Sequence, residues 1–204
     1  MFPLPPNLSF EEGACSLVNP LTATSFVHLS LRDGHKALVH TAAASQLGKM
    51  LVTASNQAGL IIICIVRKKD HVKELQEHGA KYVLDSSSSS YKEDLAKLFE
   101  ELKPSVFFDS VAGKDGSQII EALPKNSITY NYGALSGEGY TIGPMDLIFK
   151  GKTLTGFWLS NVLKDKEMAT QVIASSFGNL ATGAFKTTIA SKFPHDKFQD
   201  AIES

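Results

Sequence analysis

The strongest constraint in this sequence is an alternation. Strand candidates at residues 37–41, 60–66, 81–84, 105–110, 127–132 and 152–158, most of them short and nearly continuous apolar runs, are separated by stretches with helical spacing at 46–58, 69–78, 91–102 and 116–123. A strand that is apolar at consecutive positions must be covered on both faces, the condition met in a parallel sheet with helical crossovers. The pattern predicts an α/β fold, a doubly wound parallel sheet of six strands in the order 3-2-1-4-5-6. A helix over 20–31, stopped by Asp33-Gly34, precedes the first strand. After the sixth come a long helix over 161–177, a strand over 187–193 and a short helix over 195–202.

Such a sheet, of the Rossmann type, binds ligands where its strand order reverses, beyond the carboxyl ends of the strands. The first strand runs into the small residues Thr41-Ala42-Ala43-Ala44-Ser45 before the next helix begins. A dinucleotide fingerprint reads G-x-G-x-x-G; here the turn offers Ala43-x-Ser45-x-x-Gly48. The small side chains keep close approach to a pyrophosphate open, and the helix start at Ser45, Gln46, Leu47 and Gly48 presents N–H groups to it. An ordinary strand-turn-helix would use the same residues for packing.

At the end of the second strand stand Arg67, Lys68 and Lys69, where an acid favours NAD and a base NADP. Cations at a helix start oppose its dipole unless an anion compensates them, so this triplet points to a 2′-phosphate and NADPH. Small residues after the fourth strand (Asp109, Ser110, Val111) and the fifth (Gly133, Ala134, Leu135, Ser136) leave a crevice. Asp109 reads as a general base or as a structural cap. The six histidines lack metal spacing; His40 reads as a core histidine bonded to backbone, and His71 is the one near the phosphate site. Phe157 and Trp158 read first as core residues at a strand end, with a backbone contact to cofactor as the alternative. The serine run 86–90 reads as a loop that caps the following helix.

With 43% hydrophobic residues and a net charge of −1, the chain suits one domain with a sizeable core and gives no reason to expect nucleic acid or a membrane surface as partner. The opening residues do not read as a signal peptide. Two cysteines without pairing or metal spacing fit a reducing compartment, the cytoplasm by default and an organelle equally well. Residues 1–13 read as a linker-like lead-in and 14–204 as the nucleotide-binding domain, a piece of a longer polypeptide.

An ordered set of segments resembles the cofactor-binding domain of medium-chain dehydrogenases/reductases: Asn19-Pro20-Leu21-Thr22-Ala23, His40 through Gly48, Glu77-His78-Gly79-Ala80, Phe108-Asp109-Ser110-Val111, Tyr132-Gly133-Ala134-Leu135-Ser136 and Lys152 through Leu159. The branch most similar is that of quinone oxidoreductases and enoyl thioester reductases, whose turn reads A-x-x-G-x-x-G; Ser45 stands where that motif has glycine. The resemblance implies an NADPH-dependent hydride transfer to a quinone, enone or enoyl thioester, with a GroES-like catalytic domain outside this chain. It further implies Ser86 near the adenosine ribose, Thr22 beside the nicotinamide half, and residues 109–111, 133–136 and Phe157, Trp158 and Leu159 around the nicotinamide and its ribose. Val18 occupies the position from which zinc-dependent relatives draw a cysteine ligand, so no catalytic zinc is implied. An apolar edge strand at 152–157 implies a homodimer. A non-catalytic NAD(P)-binding sensor or interaction module with the same fold is the competing expectation.

Overall fold

Along each central strand the side chains alternate between two apolar layers. Leu38, Ile62, Cys64, Val106 and Phe108 belong to one buried cluster, and Val39, Ile63, Ile65 and Phe107 to the other. The computed structural model describes Leu4 and residues 6–203. Among them, strands β1 (Ala37–His40), β2 (Ile61–Val66), β3 (Tyr82–Asp85), β4 (Val106–Asp109), β5 (Ile128–Asn131) and β6 (Thr153–Gly156) form one sheet in the order β3-β2-β1-β4-β5-β6. Every pairing is parallel, and Val39 lies level with Ile63 on one side and Phe107 on the other.

Of the helices, α1 (Phe10–Ala14) lies in the lead-in, where Ser9 and Glu12 form a capping box. The expected linker therefore carries a helical turn, while the readings that fall on residues 1–3 and 5 lie outside the described residues. Helices α2 (Val18–Arg32), α3 (Gln46–Gln57) and α9 (Lys166–Ala181) cover the first layer; α5 (Tyr91–Leu102) and α6 (Gly113–Ala122) cover the second. Phe26 of α2 stacks on Phe108 of β4 with ring centroids 4.0 Å apart. Helix α4 (Lys69–Glu77) joins β2 to β3, and α7 (Pro144–Ile148) precedes β6. The short α8 (Leu159–Val162) leads into α9, and α10 (Phe198–Glu203) follows a 3-10 turn.

Two expectations past β6 are corrected. The single helix over 161–177 is divided, because Asp165 accepts from the N–H groups of Glu167 and Met168 and starts a new helix there. Residues 187–193 are not a strand: among the described residues no strand pairs with them, and the Gln46 amide instead donates to Lys186 O and accepts from Thr188 N–H. One side-chain amide replaces one rung of a ladder, not its length.

Lys152, just before β6, has a side chain 1% exposed. Its ammonium donates to the carbonyls of Ile120 (2.7 Å) and Glu121 (2.9 Å) in the last turn of α6, and to Asp146 Oδ1 of α7 at 2.9 Å. A buried cation thus satisfies orphan carbonyls at a helix C-terminus and meets one carboxylate there. That bond, before the second one from Lys150, holds the Asp146 carboxyl below the usual carboxylate range. Lys152→Met should lower stability by about 3 kcal/mol, because it strands two carbonyls and takes from Asp146 the buried one of its two cations. Urea denaturation reads this directly; a loss under about 1 kcal/mol would contradict the role.

Candidate functional site

The turn from β1 into α3 is built by close approach. Ala42 has φ +48°, which lets the chain reverse at once after Thr41. Ser45 is the N-cap of α3, its hydroxyl accepting from Gly48 N–H at 3.1 Å. A Cβ on Gly48 would run into the backbone carbonyl of Ala43, so only glycine lets α3 sit this close to the end of β1. Ser45 spends its hydroxyl on Gly48 and caps no other N–H; those of Gln46 and Leu47 receive no capping side chain. The Gln46 side chain turns to residues 186 and 188, and Leu47 is buried.

This turn forms one wall of a cavity of about 320 Å³. Thr41, Ala42, Ala44 and Ser45 come from the turn; Arg67, Lys68 and His71 from the β2–α4 junction; Ser86 from the end of β3; Val111, Asp115 and Leu135 from beyond β4 and β5. Ser86 is placed by its N–H, which extends the ladder to Val66 O at 2.8 Å. Lys68 is the N-cap of α4, and its ammonium, having no acceptor, cannot cap the N–H groups there. Neither Arg67 nor Lys68 makes an ion pair among the described residues. Lys69 departs from the expected triplet: it lines a separate hollow beside Lys73, Asp85 and Ser88. Ser90, expected to cap α5, makes no capping bond and donates to Asp94 instead.

Asp109 is fully buried and every oxygen is engaged. Oδ1 accepts from Thr41 Oγ1 (2.5 Å) and Val111 N–H (2.9 Å); Oδ2 accepts from Ala112 N–H (3.1 Å) and the Tyr140 hydroxyl (2.7 Å). Of the two readings of Asp109, the structure supports the cap: a carboxylate with four donors holds a turn and has no free lone pair for a substrate proton. That turn is strained at Ala112, with φ +62°, while Gly113 takes its φ of +61° without penalty. The Asn131 amide donates to Gly133 O (2.6 Å) and to the Tyr140 hydroxyl (2.9 Å), tying the β5 loop into the same network. Burial first, then the bond to Asp109, pushes the Tyr140 phenol well above its ordinary range. Thr41, Asn131 and Tyr140 were not legible as site residues, since no spacing rule marks a polar residue that supports a turn from another strand.

His40 is buried, and its Nε2 meets the Tyr132 hydroxyl at 2.7 Å rather than a backbone group. Burial lowers its pKa to about 3, so the ring is neutral. Thr22 lies buried on α2, and Phe157 packs edge-on against Phe26. Trp158, expected in the core, is 64% exposed with Lys164 over its ring. Of the expected site residues, Ser45, Arg67, Lys68, Ser86, Val111 and Leu135 come together in the cavity. Thr22, Gln46, Leu47, Gly48, Lys69, Asp109, Ser110, Gly133, Ala134, Ser136, Phe157, Trp158 and Leu159 do not line it.

Residues 47–175 match the sequence model of the zinc-binding dehydrogenases. The chain belongs to that family. Within it, the relatives place the chain in the quinone and enoyl reductase branch of the medium-chain dehydrogenases/reductases. The mitochondrial enoyl-[acyl-carrier-protein] reductase 2 of Candida tropicalis is 28% identical over 97% of this chain and 56% of its own length. A structure described as an NADPH:quinone reductase from Mesorhizobium loti superposes with a TM-score of 0.87 and 32% identity, covering 92% of this chain and 55% of the other. The Etr1p complex with NADP and crotonyl-CoA has the same fold, with a TM-score of 0.77 and 23% identity over 96% and 59% of the two chains. The chain thus spans a little over half the length of these relatives. The family's name mentions zinc, yet among the described residues no group of three or more His, Cys, Asp or Glu could hold a metal. The residues present do not fit that ion.

Gly48→Ala should cost about 3 kcal/mol, because the methyl collides with backbone that cannot step aside. Thermal or urea unfolding checks this, and a neutral substitution would contradict the close approach.

Proposed function

We propose that this chain is the nucleotide-binding domain of an NADPH-dependent, zinc-independent reductase acting on a quinone, enone or enoyl thioester. The observation that carries the reading is the single cavity that runs from the β1–α3 turn to the unpaired Arg67 and Lys68. The residues fit the cofactor. A turn that tolerates no side chain at Gly48 and leaves uncapped N–H groups suits a pyrophosphate, and cations without carboxylate partners suit a 2′-phosphate. Ser86, which lines the same cavity, is assigned to the ribose between them. Val111 and Leu135 begin the nicotinamide half, which continues toward Ser110, Gly133, Ala134, Ser136, Trp158, Leu159 and Thr22. When bound, the reduced nicotinamide supplies a hydride; the chain's own part is to bind, orient and bury that ring.

The relatives' printed cofactors and substrates, NADP with crotonyl-CoA for Etr1p and NADPH with quinone for the Mesorhizobium loti protein, support this assignment. The buried thiol of Cys64, free like Cys15, supports a reducing compartment, either cytoplasm or an organelle like that named for the Candida tropicalis relative. No helix among the described residues is long and apolar enough to cross a membrane.

The reading extends to assembly. Strand β6 pairs with β5 on one side only, and Met145, Ile148 and Phe149 beside it are exposed. A homodimer joined along 152–157 would cover this edge. Light scattering after size exclusion should give twice the chain mass; monomer alone at high concentration would contradict it.

Calorimetric titration tests the cofactor. The chain should bind NADPH more tightly than NADH, and Arg67→Ala should cut NADPH affinity about tenfold while leaving NADH unchanged. High salt should erode the same preference. No binding of either nucleotide at millimolar concentration would contradict the proposal.

A further inference from the structure

One histidine in the cavity has no role in holding the cofactor as proposed. His71 shares the lining with Arg67, Lys68 and Ser86 and is half-buried. It stands three residues past Lys68, on the same face of α4, and side chains on a helix lean toward its N-terminus. Its ring is therefore carried toward the end of the cavity that holds the two unpaired cations. The positions are those in which a capping box places a hydroxyl and a carboxylate. Here they hold a lysine and a histidine, and the charge pattern is inverted.

Resting on the assignment of this cavity to NADPH, we infer that His71 is a third ligand of the 2′-phosphate and makes the preference for NADPH over NADH pH-dependent. An imidazolium donates a charge-assisted bond to a phosphate oxygen, whereas a neutral imidazole loses the charge. The groups that bear on His71 are few. Arg67 and Lys68 lie beside it, and Asp70 precedes it on α4. Glu74, one turn further along α4, is held by Lys49 of α3 at 2.5 Å, and Asp115 of α6 faces the same cavity. Asp85, at the end of β3, is engaged by the N–H and hydroxyl of Ser87. A bound phosphate favours the charged form of an imidazole beside it.

Two titrations set the sign. A phosphate monoester gains its second charge at about pH 6. An unperturbed histidine loses its charge at about pH 6.5, and an anionic partner raises that value. Selectivity for NADPH should therefore rise as the phosphate ionises, pass through a maximum, and fall again at the alkaline end, where an imidazole carries no charge. Binding of NADH, which lacks the 2′-phosphate, should not follow this profile.

The test is calorimetric titration of the chain with NADPH and with NADH from about pH 5.5 to about pH 8.5, for wild type, His71→Gln and His71→Lys. Wild type should show the bell, with selectivity falling about tenfold on its alkaline side. His71→Gln should rise to a plateau of lower selectivity and not fall; His71→Lys should rise to a plateau of high selectivity and not fall. Unchanged NADH affinity in both variants shows that the rest of the cavity is intact. A wild-type profile retained by His71→Gln would overturn the inference and leave the cavity assignment standing, as would equal loss of NADH and NADPH affinity in both variants. Failure of the wild type to bind NADPH would overturn the cavity assignment itself, and this inference with it.

Discussion

The contact between Gly48 and the Ala43 carbonyl is the constraint on which the rest depends. It lets α3 begin as soon as β1 ends, so the small-residue turn lies open at the point where the strand order reverses. On the neighbouring strand Asp109 performs the equivalent task with a charge. By accepting from two backbone N–H groups and two hydroxyls it holds the β4–α6 turn in left-handed backbone that a free chain would avoid. Thr41 joins the two, donating to Asp109 while accepting from Ser110 N–H at 3.0 Å. The crevice is thus a gap between two turns, each fixed by contacts that tolerate little change.

Charge is distributed along that crevice in a way that suits one kind of ligand. The β2 side carries cations that make no ion pair among the described residues, the α6 side a carboxylate, and the far side the apolar Val111 and Leu135. A ligand with an anionic end and an uncharged ring at the other matches this order. Lys152, a buried cation, is held by Asp146 and two carbonyls, whereas Arg67 and Lys68 are exposed.

The sheet and its order were legible because the central strands β1, β2 and β4 are apolar on consecutive positions and the crossovers are helical. Tyr91–Leu102, for example, agrees at both ends. Polar detail was legible only where a local rule governs it. Ser45 before a helix and Gly48 one turn on follow capping and packing rules, whereas Tyr132, the partner of His40, lies 92 residues away, and Thr41 and Tyr140, the side-chain partners of Asp109, lie 68 and 31 residues away. Periodicity also misjudged the chain beyond β6. Residues 187–193 have the composition of a strand, but a strand exists only with a partner, and the Gln46 amide offers a single rung. Trp158 reads as core by its type and is exposed because β6 ends at Gly156, at the rim of the sheet.

The most direct measurement is the amide spectrum of the ¹⁵N-labelled chain during titration with NADPH. If the crevice is the nucleotide site, the largest shifts will fall on Ser45 to Gly48, Arg67, Lys68, Ser86 and Val111. Those of the hollow formed by His28, Arg32, Asp165 and Gln171 between α2 and α9 will stay still. Shifts concentrated in that second hollow, or none at saturating NADPH, would contradict the assignment.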